Sequence, residues 1–193
     1  MAKGVKTMEN DIYKQCPIYT TDVLTLKLTS LEDVAELLKC YSDEKAISLV
    51  NSDNCHGDNF HYTTIERMRE AANFWQYSYE HRYFVRLTVI LNKTREKIGT
   101  IEMFKRQVED EFNHFGLLRI DLQNKYEKQQ YIDEILQIVN QDFYKDFEVD
   151  SILTKAIQSA TERIDSLKSK GYVPINKKFM IYDDYFVRTN VTN

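Results

Sequence analysis

The stretch from Phe115 to Phe143 constrains the fold more than any other part of the chain. Phe115-Gly116-Leu117-Leu118-Arg119-Ile120-Asp121-Leu122 begins as an apolar run and ends in alternation, the pattern of a central strand with one partly polar end. Gln123 to Lys128 is polar and carries no helix breaker. Ile132, Ile135, Leu136, Val139 and Phe143 then recur at helical spacing. A strand that feeds a helix in this way points the helix's free amides past the strand end. The first amides of a helix lack intrahelical partners and the dipole is positive there, so the junction is a natural anion site.

The rest of the chain bounds what surrounds this unit. With 193 residues, a single domain from residue 21 to 193 behind an N-terminal tail of residues 1–20 is expected. Only 5 Gly and 2 Pro leave little room for low-complexity segments. A net charge of -4 opposes general nucleic-acid binding, which needs a basic face. The N-terminal segment lacks the apolar centre of a signal peptide, and no run reaches membrane-span length. The expectation is a cytoplasmic protein without nucleic-acid or membrane partners. Cys16, Cys40 and Cys55 show no CxxC spacing, which fits a reducing compartment. Cys55-His56 with nearby His61 falls short of the three or four convergent ligands a metal needs, so no metal is expected.

In chain order, Val23 to Leu28 alternates as a first strand. Ser30 and Asp33 stand in capping-box positions, and Leu31, Val34, Ala35 and Leu38 form the stripe of a first helix. Tyr41 to Tyr62 reads as irregular, with turn signals at Asn51 to Asn54 and Gly57 to Asn59. Thr63 or Thr64 caps a second helix with Ile65, Met68, Ala72 and Trp75 inward. Tyr83 to Leu91 and Lys97 to Phe104 form an antiparallel hairpin, and Lys105 to Asn113 a charged loop. After the central unit, Asp146 to Ala156 reads as a strand parallel to the central one. Ile157, Ala160, Ile164 and Leu167 mark a last helix ending at Gly171. Tyr172 to Pro174 pairs with Phe179 to Arg188, with Asp183-Asp184 at the turn. The order β-α-α-β-β-β-α-β-α-β-β implies a mixed α/β fold, a central sheet of about six to seven strands with helices on both faces.

This order and several local motifs resemble the GNAT superfamily of acyl-CoA-dependent N-acetyltransferases, from about Leu24 to Arg188. The family has an apolar-x-apolar strand end, a [RQ]-x-x-G-x-[GA] turn and a helix with Glu-Ala-Leu near its start. Here Leu118-Arg119-Ile120-Asp121-Leu122 stands at the strand end, Tyr126-Glu127-Lys128-Gln129-Gln130-Tyr131-Ile132 at the turn, and Glu134-Ile135-Leu136 on the helix. Leu167-Lys168-Ser169-Lys170-Gly171-Tyr172 resembles the segment closing the family's last helix, and Asp184-Tyr185-Phe186-Val187 its final strand. The resemblance implies acetyl transfer from acetyl-CoA to a primary amine of a small molecule or peptide, and dimerisation is common in the family. The pantetheine arm of CoA would run along the backbone of Ile120, Asp121 and Leu122. Its pyrophosphate would sit on Glu127, Lys128, Gln129, Gln130, Tyr131 and Ile132.

The departures fall on chemistry. Gln130 and Ile132 stand where the family has glycine or alanine, and Glu127 where it has Arg or Gln. Ala160 and Leu167 replace the family's asparagine and tyrosine. Amine acylation needs a deprotonated amine, a polarised carbonyl and a proton for the leaving thiolate. Backbone amides at a splayed strand end serve the carbonyl. Glu102 and Asp121 are the candidate bases and Tyr185, beside Tyr126, the candidate acid. Against these roles, Arg119 and Asp121 share a strand face and are expected to pair with each other or with neighbours, and Glu102 to be solvated. Trp75 reads as core packing under the second helix or as one wall of an acceptor pocket. The lost signature motivates an alternative: a non-catalytic GNAT-like protein that uses the cleft for another ligand or a protein partner. Another acyl-group-handling enzyme on the same fold is a third reading.

Overall fold

The computed structural model describes residues 11–53 and 57–190. One eight-stranded sheet runs through the molecule in the order β1-β2-β3-β4-β5-β6-β8-β7. The strands are β1 (Tyr19–Thr20), β2 (Leu24–Leu28), β3 (Val85–Leu91), β4 (Lys97–Lys105), β5 (Gly116–Leu122), β6 (Ser151–Lys155), β7 (Val173–Pro174) and β8 (Tyr185–Thr189). The helices are α1 (Val34–Tyr41), α2 (Ile47–Val50), α3 (Ile65–Glu80), α4 (Gln129–Ile138), α5 (Tyr144–Asp146) and α6 (Thr161–Ser169). A π-helical turn, Val139–Phe143, joins α4 to α5. Only β5 and β6 are parallel; every other pairing is antiparallel. The sheet is therefore mixed, with α4 in the parallel crossover, as the sequence predicts. The strand count exceeds the expected six to seven because Tyr19–Thr20 adds an edge strand to β2.

Alternation along β3, β4 and β5 sorts the side chains into two faces. Leu87, Ile101, Leu118 and Ile120 face one side and pack in the same core as Ile132, Ile135, Leu136 and Val139 of the α4 region. These four helical residues are fully buried, as their spacing predicts. The opposite face meets a second core built from α1, α3 and the Tyr41 to Tyr62 segment, with Leu37, Tyr41, Phe60, Met68 and Trp75. Along its middle this face carries Arg86, Thr88, Thr100, Glu102, Arg119 and Asp121. The register sets Arg86 beside Glu102, Glu102 beside Arg119, and Thr100 beside Asp121. Such a polar ladder under aromatic side chains is where function is sought.

Local signals account for most boundaries. Thr64 caps α3, its hydroxyl accepting the Arg67 amide at 3.2 Å. The Ser30 amide donates to Asp33 at 2.9 Å, the return half of a capping box. Gly171 closes α6 at φ +86°, a left-handed position that costs glycine little.

Several expectations are corrected. The buried stripe of α1 is Val34, Leu37, Cys40 and Tyr41, while Leu31 and Ala35 are exposed. A 3-10 turn over Leu31–Asp33 enters the helix at about three residues per turn, which rotates the phase of the stripe. The Tyr41 to Tyr62 stretch contains α2. Ile157 precedes α6, whose buried residues are Arg163, Ser166 and Leu167. The reversal before β8 lies between Phe179 and Tyr182, which bond each other across Met180 at φ 56°. Asp183-Asp184 instead leads into β8, with the Asp184 carbonyl accepting the Ala156 amide at 2.9 Å. Within the expected tail, Ile12 is buried in the core.

Candidate functional site

The polar ladder is organised by Arg86, an arginine that is only 1% exposed. A guanidinium in that setting needs carboxylates and hydrogen-bond acceptors to offset its lost hydration. Its Nε and Nη2 both donate to Oε2 of Glu102. Its Nη1 donates to Tyr41 Oη at 2.8 Å, Thr100 Oγ1 at 3.0 Å and Asp121 Oδ2 at 3.0 Å. Its flat face lies 4.3 Å from the Trp75 ring centroid. Trp75 is thus buried packing and part of the site at once.

Asp121 is held from both sides. Arg119 Nε donates to Oδ1 at 3.0 Å and Oδ2 at 2.8 Å, and Tyr41 Oη donates to Oδ2 at 3.0 Å. Burial raises the Asp121 pKa, but the Arg119 and Arg86 charges outweigh it and hold the carboxyl below its ordinary range. Arg119 also reaches Asp53 Oδ1 at 2.7 Å and the Val50 carbonyl, and it lies over the Phe60 ring. The predicted pairing of Arg119 with Asp121 is therefore present, inside a larger network. Glu102 is 6% exposed rather than solvated, because β3 and β5 flank it and the Arg86 side chain lies against it.

A cavity of about 410 Å³ opens on this face, lined by Phe60, Glu102, Lys105, Arg119, Tyr182 and Tyr185 among others. A second, of about 230 Å³, is lined by Phe60, Arg67, Phe74, Trp75, Phe84 and Glu102 among others. Glu102 borders both. The structure thus brings Glu102 and Tyr185 to one cavity and places Asp121 in the network beneath it.

The residues expected at a CoA site lie elsewhere. β5 and β6 pair only at Gly116–Ile152, Leu117–Leu153 and Leu118–Thr154, then part. Ile120, Asp121 and Leu122 line the β5 side of this gap, with the side chains of Ile120 and Leu122 in the core. The gap is closed. Asp53, the Val50 carbonyl and the Ser52 carbonyl sit across it, held by Arg119 and by Lys155 Nζ. The space left among Leu49, Ser52, Asp53, Arg119, Lys155 and Arg163 is about 10 Å³, room for no more than one water.

The turn before α4 is closed as well. Glu127 is buried and accepts Arg163 Nε and Nη2 at 2.7 and 2.8 Å. Glu162 accepts the Gln129 amide at 2.9 Å and Lys128 Nζ at 3.1 Å. Those two hydrogen bonds hold the exposed Glu162 carboxyl below its ordinary range. The amides of Lys128, Tyr131 and Ile132 go to the carbonyls of Tyr126, Lys128 and Lys128. Gln130 is exposed, Tyr131 packs edge-on to Tyr126, and Ile132 is fully buried. No residue from Glu127 to Ile132 has positive φ, so Gln130 and Ile132 carry no strain for want of glycine. The turn is a 3-10 turn, Asn124–Tyr126, followed by the non-helical residues Glu127 and Lys128 and then by α4. Acyl-CoA tested against this donor set does not fit: the gap lacks volume, and the amides of Lys128, Gln129, Tyr131 and Ile132 already have acceptors.

Sequence reasoning passed over Arg86, Tyr41, Thr100 and Arg163. Arg86 had a readable signal, a lone charge within YFVRLTVIL, where a buried strand position demands a partner. Tyr41 and Arg163 had none, since their partners are distant in sequence. No cluster of three or more potential metal ligands occurs among the described residues. The Cys55-His56 pair lies outside them. No helix among them is long and apolar enough to cross a membrane.

The comparisons agree with this fold. Residues 24–163 match the family model of the acetyltransferase (GNAT) domain. No curated protein matches the chain. Among solved structures, an acetyltransferase of the GNAT family from Bacillus anthracis is similar at TM-score 0.68 and 15% identity, covering 90% of this chain and 99% of that one. A ribosomal-protein-S5-alanine acetyltransferase from Vibrio fischeri is similar at TM-score 0.65 and 12% identity, with 91% and 97% covered. A ribosomal L7/L12 alpha-N-protein acetyltransferase, solved in complex with coenzyme A, is similar at TM-score 0.64 and 11% identity, with 90% and 98% covered. At these identities the structures bear on the fold alone, but the domain match spans most of the chain, which belongs to the GNAT acetyltransferase family.

Proposed function

We propose that this protein holds a primary amine of a small molecule or peptide in the cavity of about 410 Å³, with Glu102 as the amine's charge partner. One observation carries the reading. Both Arg86 contacts fall on Oε2 of Glu102, while Oε1 takes no hydrogen bond among the described residues. A carboxylate oxygen left over on the wall of this cavity suits an ammonium group, which gains from the charge. Asp121 is the poorer candidate for binding or deprotonating an amine, because arginines and Tyr41 engage its oxygens and depress its basicity. Tyr185, on the same cavity, is the group best placed to supply a proton.

Two readings part after the amine is bound. Acetyl transfer from acetyl-CoA to the amine is supported by family membership and by the parting of β5 and β6. A non-catalytic member, using the site to hold a ligand or a protein partner, is supported by the filled gap. A thermal-shift screen of polyamines, amino-acid amides and N-terminal peptides tests the shared proposal. Stabilisation by amines that disappears when the amine is acetylated, and in Glu102→Gln, is the expected result. Equal stabilisation by the acetylated compounds would sink it. Mass spectrometry of the same mixtures with acetyl-CoA then separates transfer from binding.

A further inference from the structure

We infer that the family's acyl-CoA site is permanently replaced in this chain by an internal network of ion pairs, so that the protein does not bind acyl-CoA there. The inference does not rest on the amine reading; it concerns the filled gap and the turn before α4, which adjoin the cavity at Asp53, Leu118 and Arg119.

Each part of an acyl-CoA site is matched by a group of the chain itself. Where a pantetheine arm would enter, the residues after α2 lie across the gap, tied by Arg119 to Asp53 and the Val50 carbonyl and by Lys155 to the Ser52 carbonyl. Where a pyrophosphate would meet the start of α4, the Glu162 carboxylate accepts the Gln129 amide and the Lys128 ammonium. Where the family places a basic or amide side chain at the head of the turn, Glu127 is buried against Arg163.

These contacts are consistent with one another in charge. Arg119 is met by Asp53 and Asp121, Lys128 by Glu162, and Arg163 by Glu127. A polyanion arriving at the turn would displace Glu162 from Gln129 and leave it beside phosphate, with Glu127 close in sequence and fixed by its partner. Like charges brought together there repel, and the buried Glu127 cannot move away because Arg163 holds it. Arg163 offers no remedy, since releasing it to phosphate strands Glu127 as a buried, unpaired carboxylate. The missing glycines belong to the same change. Gln130 and Ile132 take ordinary helical backbone, and Ile132 drives its side chain into the core. A turn that no longer wraps a pyrophosphate has no use for positive φ.

The test is calorimetric titration of the full chain with CoA and acetyl-CoA, beside hydrogen exchange of the amides from Lys128 to Ile132. The expected result is no saturable heat up to about 1 mM ligand and unchanged exchange. Binding tighter than about 100 µM with protection of those amides would overturn the inference. Two variants assign the cause. Glu162→Gln changes an exposed side chain and keeps the fold; combined with Glu127→Gln and Arg163→Met it removes the anions at the turn without leaving a buried charge unpaired, since Lys128 is exposed. If the triple variant folds, a gain in CoA affinity of about tenfold or more over Glu162→Gln alone supports the ionic replacement. A folded triple variant with no gain would overturn the assignment to these ions. An amine screen that fails leaves every one of these outcomes as stated, so the two proposals fall separately.

Discussion

Arg86 shows how one residue commits a whole face of a sheet. Its burial is tolerable only because Glu102, Asp121, Thr100 and Tyr41 arrive from three other elements. Removing Asp121 breaks that balance and leaves Arg86 and Arg119 undercompensated. Asp121→Asn is expected to cost about 3 kcal/mol, the lower end for a broken buried pair, since Glu102 still meets Arg86. Urea unfolding at pH 7 checks it, and a loss under about 1 kcal/mol would mean the network acts like a surface pair. The pH dependence has a definite sign. The folded-state pKa of Asp121 is lowered, so its stabilisation is complete above the ordinary carboxylate value of about 3.9 and is lost as pH falls through the folded value. The stability gap between wild type and Asp121→Asn should stay constant from pH 7 to about pH 5 and close only in acid below about pH 4. Among the residues expected to handle protons, Glu102 is the one whose neighbours leave an oxygen toward a cavity. Asp121 was legible as a partner of Arg119 because the two are two apart on one strand. Arg86 as their common hub was not, since Val85 to Leu91 and Gly116 to Leu122 read as separate apolar runs.

At the scale of elements, close packing of backbones decides what a position accepts. Gly99 on β4 has φ +157°, and a Cβ built there would lie 2.0 Å from the Asp121 carbonyl oxygen. Gly99→Ala therefore forces β4 from β5 beside the network. A loss of about 3 kcal/mol is expected, at the upper end for overpacking because the obstacle is backbone rather than a flexible side chain. Chemical denaturation measures it, and a neutral result would mean the two strands can part freely here. Thr64→Ala removes the hydroxyl that caps α3 and should cost about 1 kcal/mol, readable in the same assay. The elements also show why periodicity succeeds and fails. α4 carries a capless, continuous helical pattern into one core, so its stripe was legible. α1 enters through a 3-10 turn, so a count at 3.6 residues per turn set Val34 and Leu38 inward correctly but misplaced Leu31 and Ala35. The Phe179 to Tyr182 reversal carries no glycine, and its left-handed residue is Met180, which no turn rule selects.

For the molecule as a whole, the sheet separates two jobs. One face with the α4 core holds the fold together, and the other presents charge under aromatic cover beside the cavity. The predictions at this scale concern ligands: amines should stabilise the protein through Glu102, and acetyl-CoA should leave its melting temperature unchanged. Binding to the folded state alone raises stability with ligand concentration, so a melting curve reads both. A wild-type melting temperature that climbs with acetyl-CoA would reject the second expectation.

The amino-acid order by itself determined most of the elements and their sequence, though not β1 or α2, because hydrophobic period, caps and turn residues act over a few neighbours. It also determined that the phosphate turn lacks its glycines, since absence of glycine is visible without coordinates. Only the tertiary structure decided what fills the space those glycines would serve. Glu162, Arg163 and the residues after α2 are far along the chain from Gln129, Glu127 and Arg119, and they meet only once α6 and β6 are folded against β5. The reason is physical. A buried charge selects its partner by distance in space and by desolvation, and neither is written in the spacing of residues along the chain.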